Sequence, residues 1–243
     1  MNRTETQFRT PEGVAVPAVD AETMARVDRV AVETVGLQLL QMMENAGRSL
    51  AAHARQLAGG GDTPPAVTVL AGGGGNGGGG LCAARHLANH GARVEVVLDR
   101  SPEELAGAAR TQYDVLQATD AEVLAEPPQR SPGGVVVDAI IGYGLADAPR
   151  GRAAELIESI EEMRKAVLSL DLPSGVNATT GETPGVSVAP DRTLTLALPK
   201  SGLAGLDGDL FLADIGIPKG VYERVGLSVS DPFGDTNWVR LHD

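Results

Sequence analysis

Five polar or ionisable residues stand where short apolar runs break into turns: Asn76, Asp138, Asp171, Ser174 and Lys200. Asn76 is the one side chain in Gly72 to Gly80, a stretch of nine residues of which eight are glycine. Val67-Thr68-Val69-Leu70-Ala71 leads into it, and a helical pattern from Leu81 to Leu87 follows. A strand, a glycine turn and a helix N-terminus together suit an anion. Glycine lets backbone approach a ligand closely, and the first N–H groups of a helix have no partner within it. A tight turn alone rarely needs more than two or three glycines, which favours ligand binding over pure structure.

The other four residues sit at the ends of further apolar runs. Val135-Val136-Val137-Asp138 continues to Gly142-Tyr143-Gly144 and then Ala148-Pro149-Arg150-Gly151. Leu168 to Leu170 ends in Asp171-Leu172-Pro173-Ser174-Gly175, and Thr193 to Leu198 ends in Pro199-Lys200. In an open α/β sheet, ligands bind outside the carboxyl ends of the strands. Convergence of four such turns on one rim is stronger evidence than any one motif. Gly72, Gly74 and Gly77 also satisfy G-x-G-x-x-G, with Asp99 at the end of the next run. So glycine-rich a segment matches that pattern almost automatically, so the match is weak. No Lys-Ser/Thr pair follows, which excludes a P-loop, and no Tyr-x-x-x-Lys of a dehydrogenase is visible.

The elements that must position these residues follow from periodicity. Strands are expected at about 66–71, 93–98, 135–141, 167–170, 193–198 and 210–213, several apolar on both faces as buried parallel strands are. Helical patterns at 81–90, 103–118 and 152–164 fit right-handed crossovers. Asp20 can cap a helix running to about Thr34, with Met24, Val27, Ala31 and Val35 on one face. A second helix, 37–57, carries Leu39, Leu40, Met43, Ala46, Gly47 and Leu50 as its apolar stripe. Gly47 costs roughly 1 kcal/mol in a helix, so close packing or a ligand is the usual reason for it. Residues 1–17 read as a loose polar tail and 59–65 as a connector. The expected fold class is α/β: a three-layer, Rossmann-like, doubly wound, mostly parallel sheet with an N-terminal helical extension, forming a single domain over 18–243.

Composition removes several function classes. The chain has 243 residues and a formal charge of −12, with a pI near 4.8, which argues against nucleic acid as a partner. Cys82 is the single cysteine, so neither an internal disulfide nor a cysteine-built zinc site is possible. Of His53, His86, His90 and His242, only His86 and His90 share i, i+4 spacing, and no glutamate stands between them as in a zincin. They read as solvated or capping residues. No apolar run is long enough to span a membrane and the N-terminus does not resemble a signal peptide, so a cytoplasmic protein is expected.

At Ser169 to Glu182, SLDLPSGVNATTGE, the chain resembles the signature segment of the NAD(P)H-hydrate epimerase family. Five further landmarks occur in the family's order: MMENAG from Met42, LAGGGGNGGGGLCAARHL from Leu70, DAIIGYGLADAPRG from Asp138, ALPKSGL from Ala197 and ADIGIP from Ala213. The likeness covers about residues 20 to 218. It implies that Asn76, Asp138 and Ser174 hold one potassium ion per subunit. It implies a substrate site at Gly75, Asn76, Gly77, Gly78, Gly79, Gly142, Tyr143, Gly144, Arg150, Gly151 and Asp171, with Asp171 and Lys200 as the acid–base groups. Oxygen ligands suit a hard cation, and such an ion would offset pyrophosphate charge beside an acidic protein.

The implied substrate is NADH or NADPH carrying water at C6 of the ring, a carbon bonded to both nitrogen and hydroxyl. Nitrogen can expel a protonated hydroxyl, and water returning to the opposite face gives the other epimer. A homodimer through the N-terminal helices and a separately encoded dehydratase are the implied partners; no nucleic acid and no membrane are expected. The chain departs from the family pattern at Gly73, Gly75 and Gly79, where proline, asparagine and aspartate are usual, and at Tyr143, where a small polar residue is common. Three functions stay open at this level: the epimerase, a diverged isomerase or lyase acting on another nucleotide-like or ring-bearing substrate, and a non-catalytic nucleotide- or protein-binding module.

Overall fold

Strands that are apolar on both faces need a covering layer on each side. The computed structural model, which describes residues 7–59, 65–128 and 134–242, supplies both. The chain runs β1 (Gln7–Arg9), β2 (Ala15–Pro17), α1 (Ala21–Arg29), α2 (Leu39–Leu57), β3 (Ala66–Ala71), α3 (Gly75–Asn89), β4 (Arg93–Leu98), α4 (Gly107–Leu116), β5 (Glu122–Leu124), β6 (Val135–Ala139), α5 (Gly151–Met163), β7 (Ala166–Leu170), β8 (Arg192–Leu196), β9 (Asp209–Ala213), α6 (Lys219–Arg224) and β10 (Trp238–Leu241). Eight strands form one sheet in the order β10-β9-β8-β7-β6-β3-β4-β5. All neighbours are parallel except β10, which returns antiparallel to β9. This is the mostly parallel, doubly wound α/β sheet.

One face is covered by α2, α3 and α4, whose Leu50, Leu81, Leu87 and Leu116 pack on Val69, Val96 and Val137. The other is covered by α5, where Leu156, Ile157 and Ile160 meet Leu70, Val97, Val136 and Val167. A third cluster joins the N-terminal segment (Phe8, Val16, Met24, Val27) to the sheet end near Leu172, Leu198 and Ile215. Strand order reverses between β3 and β6, so a crevice opens at their carboxyl ends.

Several expectations need correction. The expected loose tail becomes, over residues 7–17, a β1–β2 hairpin with Phe8 and Val16 fully buried; residues 1–6 lie outside the described residues, as do 60–64 of the expected connector. Arg9 exchanges backbone hydrogen bonds with His242, so the hairpin is clasped by the far end of the chain, a contact no local pattern reveals. Asp20 does cap α1, accepting from Thr23 N at 2.8 Å. That helix, however, winds into a π-helical turn at Val30–Val35, closed by Gly36 at φ +83°. Val35 in that wider turn, and Leu39 and Leu40 at the start of α2, are exposed rather than buried. The short edge strands β5 and β10, the hairpin and α6 escaped the periodicity reading.

The expected start of the third helix at Leu81 is also wrong: α3 begins at Gly75. Helix propensity disfavours such a start, but packing overrides it. A Cβ on Gly77 would lie 1.6 Å from the Gly72 carbonyl oxygen, and one on Gly80 would lie 2.5 Å from the Ala139 Cβ. These glycines let the first turns of α3 rest on the sheet.

At the opposite sheet edge, His53 of α2 is buried between Phe211 and Trp238, with ring centroids 4.8 and 5.0 Å away. Burial, reinforced by the Arg192 guanidinium, holds its imidazole down at about 4. The unfolded chain takes up this proton near the ordinary value of 6.5, so the stability contributed by neutral His53 is complete above that pH and is lost as pH falls toward 4. Urea unfolding at pH 7.5 and 5.0 should show a loss of about 2 kcal/mol that His53→Gln does not share. Parallel losses in the two proteins would contradict this assignment.

Candidate active site

Two of the strand ends that form the crevice are built alike. Leu172 N donates to Leu170 O across Asp171, and Leu198 N donates to Leu196 O across Ala197. The central residues have φ of +67° and +63°. These are tight three-residue turns with a left-handed centre, which non-glycine residues adopt only when their surroundings hold them there. Asp171 is held by its own carboxylate: Oδ1 accepts from Leu196 N at 3.2 Å and from the Thr195 hydroxyl at 3.4 Å.

Lys200 completes the arrangement. Its Nζ donates to Asp171 Oδ1 in a short contact and to Leu196 O at 2.9 Å, with only 1 % of the side chain exposed. The turn that carries it is fixed from outside: Val19 N donates to Pro199 O at 3.0 Å and Ser201 N donates to Val19 O at 2.9 Å. The N-terminal segment therefore holds the lysine in place. Among the described residues nothing donates to Asp171 Oδ2, and Asp171 lines the cavity.

That cavity has a volume of ≈ 650 Å³. Gly74, Gly75, Asn76 and Gly79 of the α3 start lie on one side, and Ile140 to Gly144 beyond β6 on another. Leu170, Asp171, Leu196, Lys200 and Ile215 also line it. No side chain caps α3, so its first N–H groups are available to an anion. Of the expected substrate residues, Gly75, Asn76, Gly79, Gly142, Tyr143, Gly144 and Asp171 are brought together here. Gly77 and Gly78 instead face their own turn and Met43. Arg150 and Gly151 begin α5 and are not among the lining residues.

The remaining wall was missed from sequence. Met24, Asp28, Arg29 and Val32 come from the N-terminal helical segment, and Leu39, Met42, Met43 and Ala46 from α2. The Tyr143 hydroxyl donates to Asp28 Oδ2 in a short contact, and Lys200 Nζ lies 5.8 Å from the Tyr143 ring centroid. Burial raises the Asp28 carboxyl above its ordinary value, with Asp171 adding to the effect and Tyr143 and Lys200 opposing it. Burial, followed by the nearby Asp28 charge, also raises the Tyr143 hydroxyl. The available signal was Asp28's place four residues after Met24, on the edge of the apolar face of α1.

Asp138 and Ser174 are fully buried and do not line the cavity, though the Ser174 hydroxyl accepts from the N–H of the lining residue Ile141 at 2.8 Å. Asp138 Oδ2 accepts from Ser169 Oγ and Ser174 N, each at 2.8 Å, and Oδ1 accepts from Ser174 Oγ at 2.5 Å and Ile140 N at 3.3 Å. Burial raises this carboxyl despite those donors. Asn76 packs against Gly142, and its Nδ2 is buried without a hydrogen-bond partner. A buried carboxylate with no basic side chain bonded to it, a hydroxyl and an amide short of a partner are a donor set of the kind that suits a hard cation. If the amide is turned over, its oxygen takes the orphaned place.

MMENAG does two jobs: Met42, Met43 and Ala46 line the cavity, while Glu44 and Asn45 clamp α2 to its neighbours. Glu44 binds Arg85 at 2.5 Å and His86 at 2.7 Å, while Asn45 Nδ2 donates to Ile215 O at 3.2 Å. Gly47 is there for close packing, since a Cβ would lie 2.5 Å from Cys82 Sγ. Glu44, Cys82 and His86 are clustered, but the Arg85 guanidinium bonds both Glu44 and Cys82 Sγ and supplies the cation. At the altered glycines, position 75 opens on empty space, whereas a Cβ at 79 would meet Leu170 Cδ2 at 2.7 Å and one at 73 would meet the Arg100 side chain at 2.2 Å.

A family model described as YjeF-related protein N-terminus matches residues 39–202. The chain is 47% identical over 239 residues to a protein named NAD(P)H-hydrate epimerase from Dehalogenimonas lykanthroporepellens, covering 97% of both chains. A protein of the same name from Truepera radiovictrix is 37% identical, covering 85% of this chain and 92% of the relative. The Bifunctional NAD(P)H-hydrate repair enzyme Nnr of Hyperthermus butylicus is 41% identical; the match takes in 88% of this chain but 40% of that protein. Among solved structures, yeast ynu0 shares the fold with a TM-score of 0.79 at 24% identity, covering 92% of this chain and 99% of the other.

The buried pair has a direct energetic signature. Removing Lys200 alone strands a carboxylate, which in buried pairs costs about 3–5 kcal/mol. Lys200→Met should lose about that much in urea unfolding, and the double variant Lys200→Met with Asp171→Asn should recover most of it. A single variant as stable as the parent would show that the pair is not buried as described.

Proposed function

We propose that the chain, which belongs to the NAD(P)H-hydrate epimerase family described by the YjeF-related N-terminal model, is an isomerase that interconverts the R and S epimers of C6-hydrated NADH and NADPH. The observation that carries this reading is the pairing of an uncapped glycine-rich helix start with the Asp171–Lys200 pair in one cavity. The helix start suits pyrophosphate, and Asp171 Oδ2 offers the ring a carboxylate oxygen. Because epimerisation passes through a cationic iminium, a fixed carboxylate stabilises that charge and takes or gives the proton of the arriving or departing water. Lys200 keeps this carboxylate aimed through its bond to Oδ1. The apolar wall of Met24, Met42, Met43 and Leu170 excludes competing water from the ring.

Potassium belongs to the same proposal. Asn76, Asp138 and Ser174 would hold it, and its charge would offset that of pyrophosphate. We also propose a homodimer through the N-terminal helices, supported by four large exposed apolar residues within 32–40: Val32, Val35, Leu39 and Leu40. A dehydratase acting on the S or R product is the expected companion, as the name of the bifunctional relatives suggests. No helix among the described residues is long and apolar enough to cross a membrane; a cytoplasmic setting goes with the proposed substrate.

Incubation with one separated epimer of hydrated NADH, followed by chromatography, tests the reading. The protein should equilibrate the epimers faster than the buffer control, and more slowly when potassium is replaced by a larger organic cation. Asp171→Asn should slow turnover by about 10²-fold or more. A protein that leaves the epimers at the control rate, or an Asp171→Asn variant with normal turnover, would overturn it.

A further inference from the structure

Epimerisation at one carbon is a two-sided problem. Water leaves C6 from one face of the ring and must return to the other, and a single fixed carboxylate serves one face. The cavity holds a second carboxyl on an element outside the sheet. Asp28 enters from α1, whereas Asp171 stands at the end of β7. We propose that Asp28, oriented by Tyr143, is the second acid–base group of the reaction and serves the ring face opposite to Asp171.

This inference rests on the epimerase reading and deepens it. Three observations carry it. Asp28 lines the same cavity as Asp171 and Lys200. Its Oδ2 is engaged by the Tyr143 hydroxyl, and among the described residues nothing donates to Oδ1, so one carboxyl oxygen is fixed and the other is left for a ligand. The two acids also differ in environment. Asp171 is paired with a lysine, while Asp28 is bonded to a neutral phenol. The partners separate their roles: Asp171 is tied to a cationic side chain, and Asp28, whose carboxyl burial raises, is the better proton donor.

The step balances without a co-reactant. Asp28 gives its proton to the C6 hydroxyl, the C6–O bond breaks, and the ring nitrogen's electron pair forms the C6–N double bond as water departs. A second water adds its oxygen to C6 from the other face and passes a proton to Asp171, while the double-bond pair returns to nitrogen. One proton has moved from Asp28 to Asp171, and the reverse turnover or solvent returns it. Tyr143 is a positioning residue here. Its hydroxyl reaches from the Gly142 loop to Asp28 on α1 and so couples the helix to the loop.

Oxygen exchange separates this role from a merely structural one. Each pure epimer is incubated in ¹⁸O-water with wild type, Asp28→Asn and Tyr143→Phe, and both label at C6 and change of configuration are read by chromatography with mass detection. An enzyme with only Asp171 still expels and recaptures water on one face. Asp28→Asn should therefore slow epimerisation by about 10²-fold while one epimer continues to take up label with retained configuration. Tyr143→Phe should show the same split to a smaller extent, with unfolding transitions close to wild type confirming that both variants are folded. Epimerisation and exchange falling in parallel, or neither falling, would overturn the inference while leaving the epimerase reading intact. A wild type that neither exchanges nor epimerises above the buffer control would overturn both.

Discussion

The contact between Lys200 and Asp171 sets the terms for the rest of the molecule. Two opposite charges buried at a strand end are costly to desolvate, and hydrophobic side chains of similar size could replace them at no loss of stability. They persist with both strand ends forced into left-handed turns, at Asp171 and Ala197, and with Leu196 bonded to each partner through its N–H and its carbonyl. Strain and buried charge gathered at one point of an otherwise regular sheet are the physical marks of a site.

Much of the remaining architecture serves to hold the pair and leave one oxygen open. Val19 pins the Lys200 turn, the β1–β2 hairpin steadies Val19, and His242 clasps the hairpin. On the other side of the crevice, glycines lower the start of α3 onto the sheet until its backbone reaches the cavity. Glu44 and Asn45 then fasten α2 to α3 and to the loop after β9, which brings Met42 and Met43 over the site. The cavity is thus a space bounded by the N-terminal helical segment, α2, the start of α3 and the ends of β6, β7, β8 and β9.

The sheet was legible because its strands are buried on both faces. Unbroken runs such as Val135-Val136-Val137 admit few other readings, and the limits of β3, β4, β6, β7, β8 and β9 fall within about two residues of those expected. The rim residues were legible for a related reason, since polar side chains directly after such runs stand out. What escaped depends on partners distant in sequence. Phe8 and Val16 are too sparse to announce a hairpin that packs against the sheet end and is clasped by the chain's far end. The glycines of α3 read as loop because their reason is the opposing backbone of Gly72 and the Ala139 side chain, not anything local. Asp28 was hidden because an acid on a helix looks solvated until the Gly142 loop brings Tyr143 to it. Arg150 and Gly151 show the converse: motif residues near the site in sequence that the fold leaves off the cavity wall.

The central claim is that Asp171 presents one free carboxylate oxygen to a nicotinamide-derived ring whose pyrophosphate rests on the start of α3. A crystal structure of the protein with hydrated NADH bound measures this directly. It should show the C6 position within about 3.5 Å of Asp171 Oδ2 and pyrophosphate oxygens accepting from backbone N–H groups near Gly75 to Gly77. A ring turned away from Asp171, or a pyrophosphate bound elsewhere while the α3 start faces only water, would contradict it.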